Sequence, residues 1–129
     1  MILAIDPGKD KTGLAVLDEK AAIIDKLVVF ARNLPATIQE YTKKHSITEV
    51  VIGQSAAGQI LAKKLQAESS NIKLSFVSEK NSSLEARQRY WQENKPRGLW
   101  KLIPSSLRIP PVPVDDWAAV ILGERHLKG

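Results

Sequence analysis

Four acidic residues have the types and spacing that could bind a divalent metal ion: Asp6, Glu79, Asp115 and Asp116. Asp6 ends one apolar run, Glu79 follows another, and the Asp115–Asp116 pair opens a third apolar segment. Because sites in α/β sheets form beyond the carboxyl ends of strands, the fold can bring these acids together. Converging carboxylates repel one another unless a hard cation lies between them, and Mg²⁺ or Mn²⁺ prefers oxygen ligands. Two such ions can activate water and stabilise the leaving oxygen, so the pattern predicts metal-dependent phosphodiester hydrolysis.

Each acid also has an ordinary structural explanation when it is taken alone. Asp6 could be a turn residue, Glu79 a surface charge, and Asp115 the cap of a helix. The chemical interpretation therefore depends on all of them meeting at one place.

A basic segment with interleaved aromatic residues could bind nucleic acid. Residues 86–114 contain six basic residues and one acidic residue, a net charge of +5. Aromatic faces between cations suit a nucleic acid strand, because bases can stack while phosphates are neutralised. A solvated surface is the alternative explanation of such a charge run. The predicted nucleic-acid-binding residues are Arg87, Arg89, Arg97, Lys101 and Trp100.

The elements that must position these residues can be read from the apolar pattern. Runs of apolar and β-branched residues predict five strands. The first three follow one another closely and predict an antiparallel meander, and the other two alternate with helices and predict parallel pairing. The predicted strands are Ile2–Ile5, Thr12–Leu17, Ile23–Phe30, Glu49–Gly53 and Leu74–Val77.

Four helices complete the pattern. One begins after Asn33, with Pro35 in its first turn, and a second covers Ala56–Glu68. Ser82 and Glu85 have the spacing of a capping box that opens a third helix, and the Asp115–Asp116 pair opens the last. The order βββαβαβαα predicts an α/β fold in which a mixed five-stranded sheet carries helices on both faces.

Composition fits one globular domain over residues 1–129. The chain is 43% hydrophobic and 26% charged, with a formal charge of +5. It has no cysteine, which excludes disulfides and thiolate metal sites. No apolar run is long enough to span a bilayer, and the first residues lack the pattern of a signal peptide. We expect a soluble, cytoplasmic protein that is a monomer or homodimer. A proline-rich basic insert is expected at about residues 95–114, where it forms an ordered loop.

Three motifs resemble those of a known nuclease family. The opening ILAIDPGKDKTGLAV is similar to the first hairpin of the RuvC and YqgF (RuvX) nucleases. The segment SEKNSSLEAR resembles the YqgF stretch Asp-Glu-Arg-Leu-Thr-Thr followed by Glu-Ala, and VDDWAAVILGERHL resembles the final YqgF helix. The motifs occur in the family's order and are spread over the whole chain. Three features depart from it: Ser78 stands where Asp is common, residues 53–58 lack Gly-Leu-Pro, and the proline-rich insert from Pro96 to Pro113 is longer than the link expected in typical YqgF proteins.

The resemblance implies a single RNase H-like domain with nuclease activity. It assigns Asp6, Glu79 and Asp115 as catalytic, metal-binding carboxylates, with Asp116 as an auxiliary metal ligand. The implied activity is that of a Mg²⁺- or Mn²⁺-dependent endonuclease acting on structured nucleic acid. The substrate implied by the closer match to YqgF is the 5′ end of precursor 16S ribosomal RNA, with a role in ribosome biogenesis; a four-way DNA (Holliday) junction is the alternative.

Two other functions remain open from the sequence. A sugar or acetate kinase-like protein could share the DxGxxxTG hairpin, but such proteins need two domains around the nucleotide. A non-catalytic nucleic-acid-binding module could keep the fold without hydrolysing anything. The retained acids argue against it, because buried like charges are costly without a metal ion.

Overall fold

The computed structural model describes residues 1–68, 72–94 and 113–128. Within these ranges the chain order matches the predicted βββαβαβαα. A short 3-10 helix, Ala31–Asn33, also precedes the first α-helix. The elements are β1 (Ile2–Asp6), β2 (Lys11–Leu17), β3 (Ile23–Phe30), α1 (Leu34–His45), β4 (Glu49–Gly53), α2 (Ala56–Glu68), β5 (Lys73–Val77), α3 (Ser82–Glu93) and α4 (Asp115–Lys128).

The five strands form one mixed sheet in the order β3-β2-β1-β4-β5. β1, β2 and β3 pair antiparallel as a meander, and β4 pairs parallel with both β1 and β5. The predicted α/β fold and its mixed sheet are therefore confirmed. The carboxyl ends of β1, β4 and β5 lie along one edge of the sheet, here called the carboxyl edge.

Side chains of the central strand alternate between two apolar cores. Leu3 and Ile5 pack on one face, beneath α1 and α2, whereas Ile2 and Ala4 pack on the other, beneath α3 and α4. This alternation explains why β1 reads as a continuous apolar run, since a central strand covered by helices buries both faces. The protein is thus a three-layer α/β/α domain.

The start of α3 differs from the prediction. The predicted capping box is wrong, because Asn81 precedes the helix in a left-handed conformation (φ 62°) without a side-chain cap. Ser82 is buried, and the Glu85 carboxylate binds Arg125 at 2.6 Å instead of the helix start. A long-range ion pair has replaced the local hydrogen bond that the Ser-x-x-Glu spacing favours.

The proline-rich basic insert predicted at about residues 95–114 lies almost wholly outside the described residues, with only Pro113 and Val114 described. Among the residues that are described, no helix has the length and apolar character needed to cross a membrane.

Candidate metal centre at the carboxyl edge of the sheet

Asp6 and Glu79 meet across the end of β4. Asp6 is the last residue of β1, and Glu79 lies two residues beyond β5. Between them β4 ends at Gly53, and a Cβ atom at Gly53 would overlap the Glu79 carboxylate. The missing side chain therefore leaves the space through which Glu79 reaches toward Asp6.

The Asp6 and Glu79 carboxyl groups lie within hydrogen-bonding distance of each other. Such a contact requires either a proton or a cation between the groups, because two ionised carboxylates repel. The Glu79 oxygen Oε1 is buried and has no hydrogen-bond partner among the described residues. An unpartnered buried carboxylate oxygen is costly, and it is available to a ligand that carries positive charge.

Asp115 reaches the same place from the helix layer that covers this face of the sheet. It is the first residue of α4, and its backbone rests directly on Gly13 of β2, the residue paired with Asp6. A Cβ atom at Gly13 would overlap the Asp115 carbonyl oxygen. This close approach of helix and sheet places the Asp115 charge near enough to raise the pKa of Asp6.

All three carboxyl groups are less acidic than isolated ones. Burial, followed by the charges of Glu79 and Asp115 and the hydrogen bond with Glu79, raises the pKa of Asp6 from 3.8 to about 7. Burial also raises the pKa of Glu79, although the hydrogen bond from Asp6 opposes the shift. Burial raises the pKa of Asp115 as well, and the nearby Lys11 ammonium partly offsets this. A cation bound here would reverse these shifts, because it favours the charged form of each acid.

Asp116 points away from this group. Its Oδ2 accepts a hydrogen bond from Lys26 Nζ at 2.8 Å, and its Oδ1 accepts one from the Trp117 backbone N–H at 2.8 Å. Lys26 also lies over the Trp117 ring, 4.5 Å from its centroid. The assignment of Asp116 as an auxiliary metal ligand stays a prediction, and it requires Lys26 to release the carboxylate.

The residues at the carboxyl edge suit a hard divalent cation in their chemistry. They offer oxygen ligands, clustered negative charge and one unpartnered buried oxygen. In the described part of the chain, no three acidic or histidine side chains already form a closed ion site. Asp6 and Glu79 are in contact, and the charge of Asp115 acts on Asp6.

The predicted nucleic-acid-binding residues fall into two groups. Arg87 is exposed on α3, whereas Arg89 forms an ion pair with Glu124 at 2.6 Å and lies over the Trp117 ring. Arg89 therefore joins α3 to α4 in this structure. Arg97, Trp100 and Lys101 lie outside the described residues, and their role stays a prediction.

Three residues that shape the site were not predicted from the sequence. Gly13 and Gly53 give space for Asp115 and Glu79, and Lys11 places a positive charge beside Asp115. The sequence carried a signal for each: a glycine sits inside β2 and another ends β4, and glycine within strands often marks a close approach of backbone. Lys11 stands between the acidic strand end and the Thr12-Gly13 pair.

Comparisons with known proteins identify the family and the fold. A family model described as "RuvX: Holliday junction resolvase" matches residues 1–128. The structure of Thermus thermophilus RuvC in complex with a Holliday junction substrate aligns with a TM-score of 0.61 at 15% identity, covering 97% of this chain and 90% of RuvC. A second T. thermophilus RuvC structure aligns with a TM-score of 0.56 at 14% identity, covering 97% and 91%.

A more distant likeness is to a protein described as a candidate sugar kinase from Cytophaga hutchinsonii. It aligns with a TM-score of 0.50 at 14% identity, and covers 70% of this chain but only 39% of the kinase chain. No curated protein matches the chain. At these identities the structural likenesses establish the fold alone, which is that of RuvC, as the sequence predicted.

Proposed function

This chain belongs to the RuvX family of Holliday junction resolvases, and from that premise we propose that it is a divalent-metal-dependent nuclease cleaving structured nucleic acid. The observation that carries the proposal is the contact between Asp6 and Glu79, with Asp115 close enough to act on Asp6. The buried Glu79 Oε1 supports it, because this oxygen has no hydrogen-bond partner in the described part of the chain and could bind a cation.

Each acid would have its own part in the reaction. Asp6 and Glu79, on either side of Gly53, would hold Mg²⁺ or Mn²⁺ between the ends of β1 and β5. Asp115, at the start of α4, would be the third ligand. The bound ions would supply an activated water and stabilise the leaving oxygen of the phosphodiester. Lys11 would offset part of the negative charge and admit a phosphate to the acidic edge.

The substrate we propose is the 5′ end of precursor 16S ribosomal RNA. Its support is the resemblance of the SEKNSSLEAR and VDDWAAVILGERHL segments to YqgF motifs. A four-way DNA junction is the second candidate. It is favoured by the description of the matching family and by the structure of a RuvC bound to a Holliday junction.

Cleavage assays on a labelled substrate panel test the proposal. The panel holds a precursor rRNA fragment, single-stranded RNA, duplex DNA and a four-way junction, each with Mg²⁺ or Mn²⁺. We expect Asp6→Asn, Glu79→Gln and Asp115→Asn to reduce cleavage by more than ~100-fold, the upper range seen when even an indirect metal partner is lost. Asp116→Asn should reduce cleavage by less than ~10-fold, because the Asp116 carboxylate is paired with Lys26.

The matched control is Glu19→Gln, which makes the same charge change at an exposed turn beyond the other end of β2. It should cleave like the unmodified protein. Salt-sensitive binding without cleavage under every metal condition would instead support the non-catalytic module. Equal losses of cleavage in Asp115→Asn and Asp116→Asn would indicate that Asp116 is a full metal ligand.

A further inference from the structure

A second surface beside the metal centre combines an exposed aromatic ring with positive charge. Phe30, the last residue of the edge strand β3, is 50% exposed. The Arg32 guanidinium lies over its ring, 5.3 Å from the centroid. Lys9 and Asp10 line the same depression of about 280 Å³, and Phe30 also lines a neighbouring depression of about 540 Å³ with Lys11. We call Lys9, Lys11, Phe30 and Arg32 the β3 platform.

The platform is held in place by the backbone. Phe30 is paired in register with Lys11, and the Ala31 N–H donates to the Asp10 carbonyl oxygen at 2.9 Å. These contacts tie the β1–β2 loop to the end of β3. The backbone that carries the ring and the cations is therefore arranged before any ligand binds, which reduces the entropy lost on binding.

The platform and the metal centre lie on the same face of the sheet. Leu27 and Val29 pack toward α1 and α2, so the alternation along β3 turns Phe30 to the opposite face. Asp6 alternates to that face as well, since Ile2 and Ala4 of β1 pack there. Phe30 lies two strands across the sheet from Asp6 and two residues further along the strand direction. At about 4.8 Å per strand and about 3.4 Å per residue, roughly 12 Å separates the two residues.

The cations of the platform are available to a ligand. Lys9, Lys11 and Arg32 are exposed, and none forms an ion pair with any residue that the structure describes. Arg89, in contrast, is already paired with Glu124. Lys11 also lies near enough to Asp115 to lower the pKa of that carboxyl group, so the platform borders the metal centre.

We propose that the β3 platform binds an unpaired stretch of the nucleic acid substrate, with one base stacked on Phe30 and the flanking phosphates on Lys9, Lys11 and Arg32. Exposed aromatic rings with adjacent cations bind single strands in this way, largely without regard to sequence. The proposal deepens the proposed nuclease function and rests on it for the identity of the ligand. It adds that the cleaved bond lies within a few nucleotides of an unpaired base.

Binding measured without metal tests the platform separately from cleavage. Fluorescence anisotropy in EDTA would follow labelled single-stranded oligo-U and oligo-dT and a duplex of equal length. Phe30→Ala should weaken binding of the single strands by about 10-fold, and Phe30→Trp should preserve it, because a larger ring still stacks. Arg32→Ala should also lower the slope of log affinity against log salt by about 0.7. The oligo-U and oligo-dT arms show whether RNA or DNA is preferred.

The control variant is Phe76→Ala, which removes a ring that is 46% exposed on the opposite edge strand, β5. It should bind like the unmodified protein. Strands with abasic sites in place of the bases should make Phe30→Ala and the unmodified protein equal, since nothing is left to stack. Equal affinity of Phe30→Ala and the unmodified protein for intact strands would overturn the platform, even if cleavage still depends on Asp6. If Phe30→Ala weakens binding but no substrate is cleaved, the platform proposal stands and the nuclease proposal fails.

Discussion

Asp6 is the residue whose surroundings depart furthest from those of an isolated carboxyl group. Burial, the charges of Glu79 and Asp115 and the hydrogen bond with Glu79 all raise its pKa, to about 7. A group whose pKa is raised on folding stabilises the folded state fully below the unfolded pKa of about 3.8 and loses that contribution as the pH rises through about 7. Without a bound cation, the acidic cluster therefore destabilises the protein at alkaline pH.

Asp6→Asn should make the metal-free protein more stable at pH 8, because it removes an ionised group from the cluster. We expect a gain of about 1–2 kcal/mol, less than the full pKa shift would give because the group is partly exposed to solvent. At pH 4 the two proteins should differ little. Urea unfolding in EDTA at both pH values measures this.

Addition of Mg²⁺ at pH 8 supplies the matching measurement. It should raise the unfolding free energy of the unmodified protein and leave that of Asp6→Asn almost unchanged, because a ligand stabilises only the state that binds it. A loss of stability in metal-free Asp6→Asn at pH 8 would contradict the repulsion argued here.

At the scale of elements, α4 delivers Asp115 to the sheet because its first turn lies directly on β2. Gly13 meets the Asp115 backbone, whereas Gly123, further along α4, meets the side chains of Leu17 and Ala4. The Asp115 backbone can shift only if the helix moves with it, whereas a leucine side chain can change its rotamer. An added methyl group should therefore destabilise the protein more at Gly13 than at Gly123.

Gly13→Ala should destabilise the protein by more than ~3 kcal/mol, beyond the usual range for overpacking a core. Gly123→Ala, the matched control within α4, should destabilise the protein by about 1 kcal/mol, since Leu17 can adjust and alanine favours the helix. Thermal or urea unfolding of both variants measures the difference. Equal costs would mean that α4 moves freely over β2.

Across the whole molecule, the two ends of the sheet respond to pH in opposite directions. At the end opposite the acidic cluster, Glu49 accepts hydrogen bonds from Ser75 and from His126 of α4, the latter at 3.1 Å. Burial alone would raise the pKa of Glu49, but these hydrogen bonds and the Lys73 charge lower it. The single helix α4 thus carries Asp115 at one end and His126 at the other.

Glu49→Gln should destabilise the protein at pH 7 by about 1 kcal/mol, because it removes a partly buried, hydrogen-bonded carboxylate. A group with a lowered pKa contributes stability above its unfolded pKa and loses that contribution as the pH falls through the folded value. The difference between the two proteins should therefore persist from pH 7 to about 4.5 and shrink below it. Urea unfolding across this range, with Glu19→Gln as the control, checks the trend. A difference that grows toward acid would contradict it.

The sequence by itself determined the elements and the mixed sheet, and it singled out the three carboxylates of the candidate site. Apolar periodicity and turn residues are local signals, and β1 ends at Asp6 because its apolar run ends there. The resemblance to a nuclease family supplied the connection between acids that lie far apart in the chain.

Only the tertiary structure decided which partners those residues take. In the folded protein Asp116 pairs with Lys26, Glu85 with Arg125 and Arg89 with Glu124. It also showed that Gly13 and Gly53 make room for the acids, and that Phe30 stays exposed beside Arg32. Such choices depend on which side chains from distant elements lie within a few ångströms, and spacing along the chain contains no information on that distance.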